Sequence, residues 1–373
     1  MSNTSKWMSK LTKDFGDVAN DLPAPSEKVI KFPSPSLNWA LGNGGLTEGK
    51  IACFYGPESA GKSLLAQLMM IQIQQMYPEA IVVWFDAEYS FNKSWFQKLG
   101  GDLSRTIVRQ TNDPTKIFDW IYGDMYQMLQ DGAPIKGLAI DSIKSICYPG
   151  DIKDESTKIT MGGGGAKYLG PTLKRILPPI KEFNITCAFI QQVYEELDQY
   201  KAMNDPYKIP DGRALKHASD YMLEVTKVET KDGKIEEGKT LVNKTKKAMK
   251  GHTVQVRLKK NRVGAPAKIA RFKLHYERGI IETAEEIYNL ALSLDVIFHP
   301  ISANTGRPNN SAWQFADYPE IKGQDNFKEW ATSTPGIIEE MYDACCTTDE
   351  DKAQVGMGII PVTEMLDLNI GEL

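Results

Sequence analysis

An α/β fold with a mostly parallel central sheet is predicted by three features of this 373-residue chain. A glycine-rich phosphate-loop pattern lies between an apolar strand and a helix. Three further apolar runs end on carboxylates or amides, as buried parallel strands do where they open onto a ligand crevice. The composition, 42% apolar and 25% charged with seven Trp and thirteen Phe, belongs to a globular chain that buries a sizeable core. Length predicts one principal domain of about 200 to 250 residues with one or two smaller attachments.

The phosphate loop comes first. Residues 51–74, IACFYGPESAGKSLLAQLMMIQIQ, contain the GxxxxGK[ST] pattern as Gly56, Pro57, Glu58, Ser59, Ala60, Gly61, Lys62 and Ser63. Gly56 and Gly61 let the backbone turn tightly enough for successive amides to face one anion. The helix that follows adds free N–H groups and a positive dipole end. Lys62 is placed to reach the β- and γ-phosphates and the Ser63 hydroxyl to ligate Mg²⁺. A chance glycine turn is the competing reading, and the flanking strand and helix weigh against it.

The next run, AIVVWFDAEYS over 80–90, reads as a parallel strand followed by two acids. Glu88 is placed to orient or deprotonate a water attacking a γ-phosphate, with an ordinary strand-end cap as its bland alternative. Asp86 reads as structural. The run IKGLAIDSIKS over 135–145 leads into Asp141, which stands at the Walker B position, where an acid holds the Mg²⁺ hydration shell. The run NITCAFIQQ over 184–192 ends in two amides. An amide can bond a γ-phosphate oxygen without adding charge and lose that bond after hydrolysis.

Charge and composition exclude some classes. Forty-four Lys and Arg against forty-eight Asp and Glu give a formal charge of −4, which argues against coating nucleic acid through bulk positive charge. Locally, 244–260 (KTKKAMKGHTVQVRLKK) is strongly basic and 349–351 is acidic. The basic run alone reads equally as a solvated face. No apolar stretch is long enough to span a bilayer. Residues 1–20 lack the apolar core and cleavage site of a secretory signal, so a cytoplasmic location is expected. The five Cys include the adjacent Cys345 and Cys346, show no CxxC spacing, and read as reduced thiols.

Taken in order, these parts resemble the RecA recombinases, both the bacterial type and the UvsX type of large bacteriophages. LNWALGNGGLTEGKIACFYGPESAGKS resembles the start of that family's ATPase core, WFDAEYSFNKSWFQKLGGD the segment with its catalytic glutamate and adenine contacts, and IDSIKSICYP its Walker B strand. GRALKHASD resembles the return after the second DNA loop, and RLKKNRVGAPAKIARFKLHYERGI the strand pair that follows. The resemblance spans about 32–283. It implies a RecA-type P-loop NTPase core over 32–283, preceded by a short oligomerisation arm (1–31) and followed by a small C-terminal α/β domain (284–346) and a tail (347–373).

The resemblance also implies ATP and Mg²⁺, with Glu88 as catalytic carboxylate and Gln192 as the γ-phosphate sensor linked to the second DNA loop. Trp95 and Tyr276 stand where the family sandwiches or edges adenine. Asn92 stands where it usually carries a carboxylate that contacts the base. Lys260 and Arg262 match paired cations that reach a neighbouring subunit's γ-phosphate. Loops at about 150–167 and 193–213 face single-stranded DNA in the family. There the amides of Gly162, Gly163 and Gly212 can approach phosphates, Lys167 and Arg213 can neutralise them, and Met161 and Val193 can wedge between base groups. The second loop departs from the bacterial pattern in its acidic start, Glu195, Glu196 and Asp198, which resembles the UvsX branch, as does IYNLALSLDVI. A phage origin, and hence a host cytoplasm, is the expectation from that branch.

The implied activity is ATP-dependent polymerisation on single-stranded DNA, followed by pairing and strand exchange with homologous duplex DNA. Partners would be further copies of the chain, a single-strand-binding protein and a loader, with no membrane. Two other readings stay open: a ring-forming RecA-fold helicase or motor, and an ATP-binding recombination mediator without productive exchange.

Overall fold

The structure, a computed structural model, describes residues 8, 28–148, 164–196, 200, 206–210, 212–228, 233–239, 247–281, 283–302 and 306–347. Most of the 1–31 arm, Met161, Gly162, Gly163 and the tail after Thr347 lie outside the described residues. The principal sheet has ten strands: β1 (Ile51–Gly56), β2 (Ile81–Asp86), β3 (Thr106–Gln110), β4 (Ile135–Asp141), β5 (Thr186–Gln192), β6 (Tyr221–Lys227), β7 (Lys234–Lys239), β8 (Lys247–Asn261), β9 (Ile269–His275) and β10 (Gly279–Ile281). Their order is β10-β9-β8-β6-β1-β5-β4-β2-β3, with β7 paired to β8 off that path. The six strands from β6 to β3 are mutually parallel. The other four extend the sheet antiparallel. The chain is therefore α/β with a mostly parallel sheet, as the apolar runs predict.

The inner strands β1, β2, β4 and β5 are apolar because helices cover both faces of the sheet, whereas the edge strand β3 is half-buried to exposed. β1 is buried at every position, as a central strand packed on two sides must be. On one face lies α2 (Lys62–Met76), whose Leu64, Leu65, Leu68 and Met69 join Phe54, Trp84 and Leu223 in one cluster. On the other lies α4 (Gly164–Glu182) with a partly π-helical segment over 115–130. Leu169, Leu173, Ile176 and Ile180 recur at helical spacing along α4 and are fully or nearly fully buried. Burial of each contributes about 1.5–3 kcal/mol, enough to hold a helix that carries Pro171, Pro178 and Pro179.

The same helix corrects one boundary. The loop expected over 150–167 ends earlier, because residues 164–167 already belong to α4. Likewise the expected 193–213 loop contains a short hairpin, Tyr194–Glu195 against Tyr207–Lys208, and its last two residues open α5 (Gly212–Ala218).

A third apolar cluster forms from residues after β10, with Ile287, Tyr288, Phe315, Phe327, Met341 and Tyr342 at its centre. Its helices are α6 (Thr283–Ser293), α7 (Gln324–Ser333) and α8 (Ile337–Cys346). It docks on α1 (Pro35–Leu41), a helix begun by the side-chain cap Ser34 and by Pro35. The Trp39 indole donates to the Cys345 carbonyl at 3.2 Å and the Tyr342 hydroxyl to the Pro35 carbonyl at 3.3 Å. At the centre of the contact, Glu286 Oε1 accepts from Ser34 Oγ at 2.6 Å and from the Ser36 amide at 2.7 Å.

Burial pushes the Glu286 carboxyl up from 4.5 to about 7, and the Ser34 and Ser36 hydrogen bonds only partly oppose it. A carboxyl raised on folding contributes stability that is complete below its unfolded value. That contribution is lost as pH rises through the folded value. Glu286→Gln, which stays neutral, is therefore expected to gain on the wild type by up to about 3 kcal/mol between pH 4.5 and pH 8. Urea unfolding of both proteins across that range measures the difference, and a pH-independent gap would refute the assignment.

Candidate nucleotide-binding site

The parallel register brings the predicted residues to one edge. Gly56 pairs with Gln192 across β1 and β5, and Asp86 pairs with Asp141 across β2 and β4. All four lie at carboxyl ends of parallel strands, where open sheets bind ligands.

The loop backbone requires its glycines. Gly56 has φ 152°, and a Cβ there would come within 1.9 Å of the Val225 carbonyl oxygen. Gly61 has φ 105° and forms the cap from which α2 starts. Gly56→Ala is expected to distort the β1–β6 contact and lower stability by about 3 kcal/mol or more, together with nucleotide binding. Thermal unfolding checks the first effect and a fluorescent-nucleotide titration the second.

A cavity of about 570 Å³ opens beside this loop, lined by Ser59, Gly61, Lys62, Ser63, His252 and Tyr276, with Lys227 also on its wall. Lys62 is buried and donates to the Pro57 carbonyl at 2.6 Å. Burial holds its ammonium below the usual lysine range, against the opposing pull of Asp141, Glu88 and Glu58. Such a desolvated cation gains most from an anion brought beside it. Glu58 is exposed, Pro57 half-buried and Ala60 buried.

Asp141 is only 3% exposed. Burial pushes its carboxyl up to about 7, with Glu88 and Asp86 adding to the rise and the Ser63 hydroxyl bond and Lys62 opposing it. Its Oδ1 is buried with no hydrogen-bond partner. A hydroxyl and a buried carboxylate oxygen in need of a partner form a donor set that suits a hard divalent cation. Ser63 and Asp141 therefore fit Mg²⁺.

Glu88 lies two residues past the end of β2. Its amide and that of Ala87 donate to the Asp141 carbonyl at 3.2 and 2.6 Å, which ties the two strand ends together. Its carboxylate Oε1 accepts from Gln192 Nε2 at 2.9 Å and from Ser145 Oγ at 3.4 Å. Asp86, by contrast, is fully buried and accepts from the Ser90 and Phe91 amides and from Gln110 Nε2, each at 3.0 Å. Its work is to fold the turn that presents Glu88.

Other sequence-derived positions fall elsewhere. Tyr276 lines the cavity, while neither Trp95 nor Asn92 is among the lining residues. The reason is local: Asn92 Oδ1 accepts from the Trp95 amide and caps α3 (Lys93–Lys98), and Trp95 packs half-buried on the first core cluster. Lys260 Nζ donates to the carbonyls of Lys216 and Ser219, and Arg262 reaches the His217 carbonyl and Asp220. Within one chain, then, both cations sit at the carbonyl end of α5. Val193 packs half-buried against the second core cluster, so in this structure it is no free wedge. Arg213 is exposed in the first turn of α5, beside Gly212. Lys167 lies in the first turn of α4.

His252 and Lys227 escaped the sequence reading. His252 alternates with Val254, Val256 and Leu258 on the buried face of β8, a pattern that marks the face and not the cavity behind it. Its Nδ1 lies 3.2 Å from the Tyr276 hydroxyl. Burial holds its pKa below the ordinary imidazole value and the Lys227 charge adds to that, while an Ala60 backbone bond opposes it. The ring is thus a neutral wall of the cavity at pH 7.

A phosphate loop at the head of a parallel sheet, a buried acid beside its serine and a carboxylate–amide pair beyond define a P-loop nucleotide-binding protein. Among known sequences, the model of the RecA N-terminal domain matches residues 5–281. The chain belongs to the RecA family. It is 27% identical to Protein RecA of Ruminococcus albus over 377 aligned residues, covering 95% of this chain and 86% of the relative. It is 28% identical to Protein RecA of Lactobacillus johnsonii (90% and 86% covered) and 28% identical to that of Chlorobaculum tepidum (77% and 78% covered). No helix among the described residues is long and apolar enough to cross a membrane.

Proposed function

We propose that the chain is a DNA-dependent ATPase of homologous recombination that polymerises on single-stranded DNA and exchanges strands with homologous duplex. The observation that carries the reading is the Glu88–Gln192 hydrogen bond beside the phosphate loop. A carboxylate able to accept a proton is held there by an amide that can trade it for a γ-phosphate oxygen, on the strand that runs into the pairing of Tyr194–Glu195 with Tyr207–Lys208.

The residues divide the work. Amides of residues 58–63 and the Lys62 ammonium hold the phosphates, and Tyr276 with His252 forms the wall available to the base or ribose. Glu88 orients the attacking water and takes its proton. Ser63 and Asp141 would hold Mg²⁺, which would supply neutralisation of the charge on the phosphates. Lys260 and Arg262 act on the neighbouring subunit's nucleotide, so hydrolysis depends on assembly. The segments around 150–167 and 193–213 face the DNA, with Lys167 and Arg213 neutralising phosphates. A filament of this kind is a head-to-tail contact that does not close. A single-strand-binding protein and a loader would act on the DNA before assembly.

ATP hydrolysis with and without single-stranded DNA, beside negative-stain images with a slowly hydrolysed analogue, tests the reading. Strong stimulation with helical filaments is expected. Closed rings would favour a helicase-type motor instead, and turnover indifferent to DNA a mediator.

A further inference from the structure

The turn that follows β4 touches both members of the Glu88–Gln192 pair with adjacent residues. It is a 3₁₀ turn, Ile143–Ser145. Ser145 Oγ donates to Glu88 Oε1 at 3.4 Å, and Lys144 Nζ donates to Gln192 Oε1 at 3.3 Å. The same ammonium lies 4.4 Å from the ring centre of Tyr194, on the hairpin that pairs Tyr194 with Lys208. One exposed cation therefore joins three things: the sensor amide, the catalytic turn and the first strand of the hairpin.

The chemistry of the amide gives this contact a direction. Gln192 has one oxygen and one NH₂. A lysine can only donate, so an ammonium at Oε1 fixes which end of the amide faces Glu88, namely the donor. The Glu88 oxygen then carries a Gln192 N–H and a Ser145 O–H, so it is turned towards these two donors and away from a water that would need the same oxygen. Releasing Lys144 frees the amide to turn about its side-chain torsions and to give its N–H to another oxygen. Such a release can be coupled to the hairpin, because Tyr194 meets the cation with its ring face in an exposed contact that is readily traded. Tyr194 itself is 54% exposed and so open to a nucleic-acid base or phosphate.

We propose that Lys144 is a positioning residue that keeps Gln192 engaged with Glu88 until the hairpin is drawn away, restraining hydrolysis in the absence of DNA. The inference rests on the proposed ATPase function and adds to it the element by which the hairpin acts on Glu88. Tyr194 is the second half of the device.

The test compares ATP turnover of wild type, Lys144→Met, Lys144→Arg, Tyr194→Leu and Tyr194→Phe, with and without single-stranded DNA. Lys144→Met and Tyr194→Leu are expected to raise DNA-independent kcat several-fold with KM for ATP unchanged. The DNA-stimulated kcat should stay near wild type, so the stimulation ratio falls. Lys144→Arg and Tyr194→Phe, which keep the cation and the ring, are expected to restore the wild-type ratio. A purely structural loss would lower both rates and the unfolding temperature together, and that result would overturn the proposal. So would a wild type stimulated by DNA whose Lys144→Met variant has the same two rates. A wild type without DNA stimulation refutes the proposed function itself, which separates the two failures.

Discussion

Glu88→Gln is expected to bind ATP normally and to hydrolyse it about 10²- to 10⁴-fold more slowly, the usual contribution of a positioned general base. The substitution changes little in the ground state. A glutamine oxygen can still accept from Gln192 Nε2 and Ser145 Oγ, the two bonds that hold the side chain. The Glu88 and Ala87 amides still donate to the Asp141 carbonyl, so the turn keeps its shape. The loop residues and Lys62 are untouched. What is lost is the oxygen able to take a proton from water. Turnover by coupled assay and affinity by fluorescent-nucleotide titration separate the two effects. Unchanged turnover would place the base elsewhere, and weakened binding would mean that Glu88 serves the fold.

The parts of this site that could be read from the sequence are those written as contiguous strings. Residues 56–63 form one turn, and the context of a strand before and a helix after is local. Glu88 and Asp141 stand out because buried parallel strands are continuous apolar runs and their ends are marked by polar residues, whereas Gln192 is separated from the neighbouring Gln191 only by the family resemblance. What joins these ends is not local. Gln192 meets Glu88 across 104 positions, and Lys144 meets Gln192 across 48. Only the register of β1, β2, β4 and β5 decides those meetings. Glu286 was hidden for a similar reason, since on sequence it is one of two adjacent acids at the start of a helix. Its partner Ser34 lies 252 positions away. Helix α4 was obscured by composition. Its glycine-rich start reads as loop, and the buried stripe of Leu169, Leu173, Ile176 and Ile180 holds the helix despite three prolines. The end of the first expected loop lies further in on that account, and α5 moves the end of the second.

Replacing both Lys260 and Arg262 by Ala is expected to lower DNA-stimulated hydrolysis on the order of 10³-fold, as loss of a cation that stabilises the transferring phosphoryl group does. The contacts within one chain predict a milder structural effect. Both residues lie at the carbonyl end of α5, where a cation contributes about 0.3–1 kcal/mol. Asp220, which Arg262 also touches, keeps its 2.5 Å bond to Lys181 and its bond from the Ile51 amide. Burial alone would raise the Asp220 carboxyl, but these bonds outweigh it and leave it lowered. Fold and catalysis therefore respond differently, and a mixing experiment exploits the difference. If each complete site takes Glu88 from one subunit and the two cations from the next, neither Glu88→Gln nor the double variant can form one alone. Mixed together, the double variant supplies Glu88 and the Glu88→Gln chain supplies the cations. Random assembly at equal ratio makes about one interface in four complete in a head-to-tail polymer, and turnover is expected to recover towards that fraction of wild type. Cations acting within their own chain would leave the mixture as inactive as its components, because no assembly of the two could then place both functions in one site.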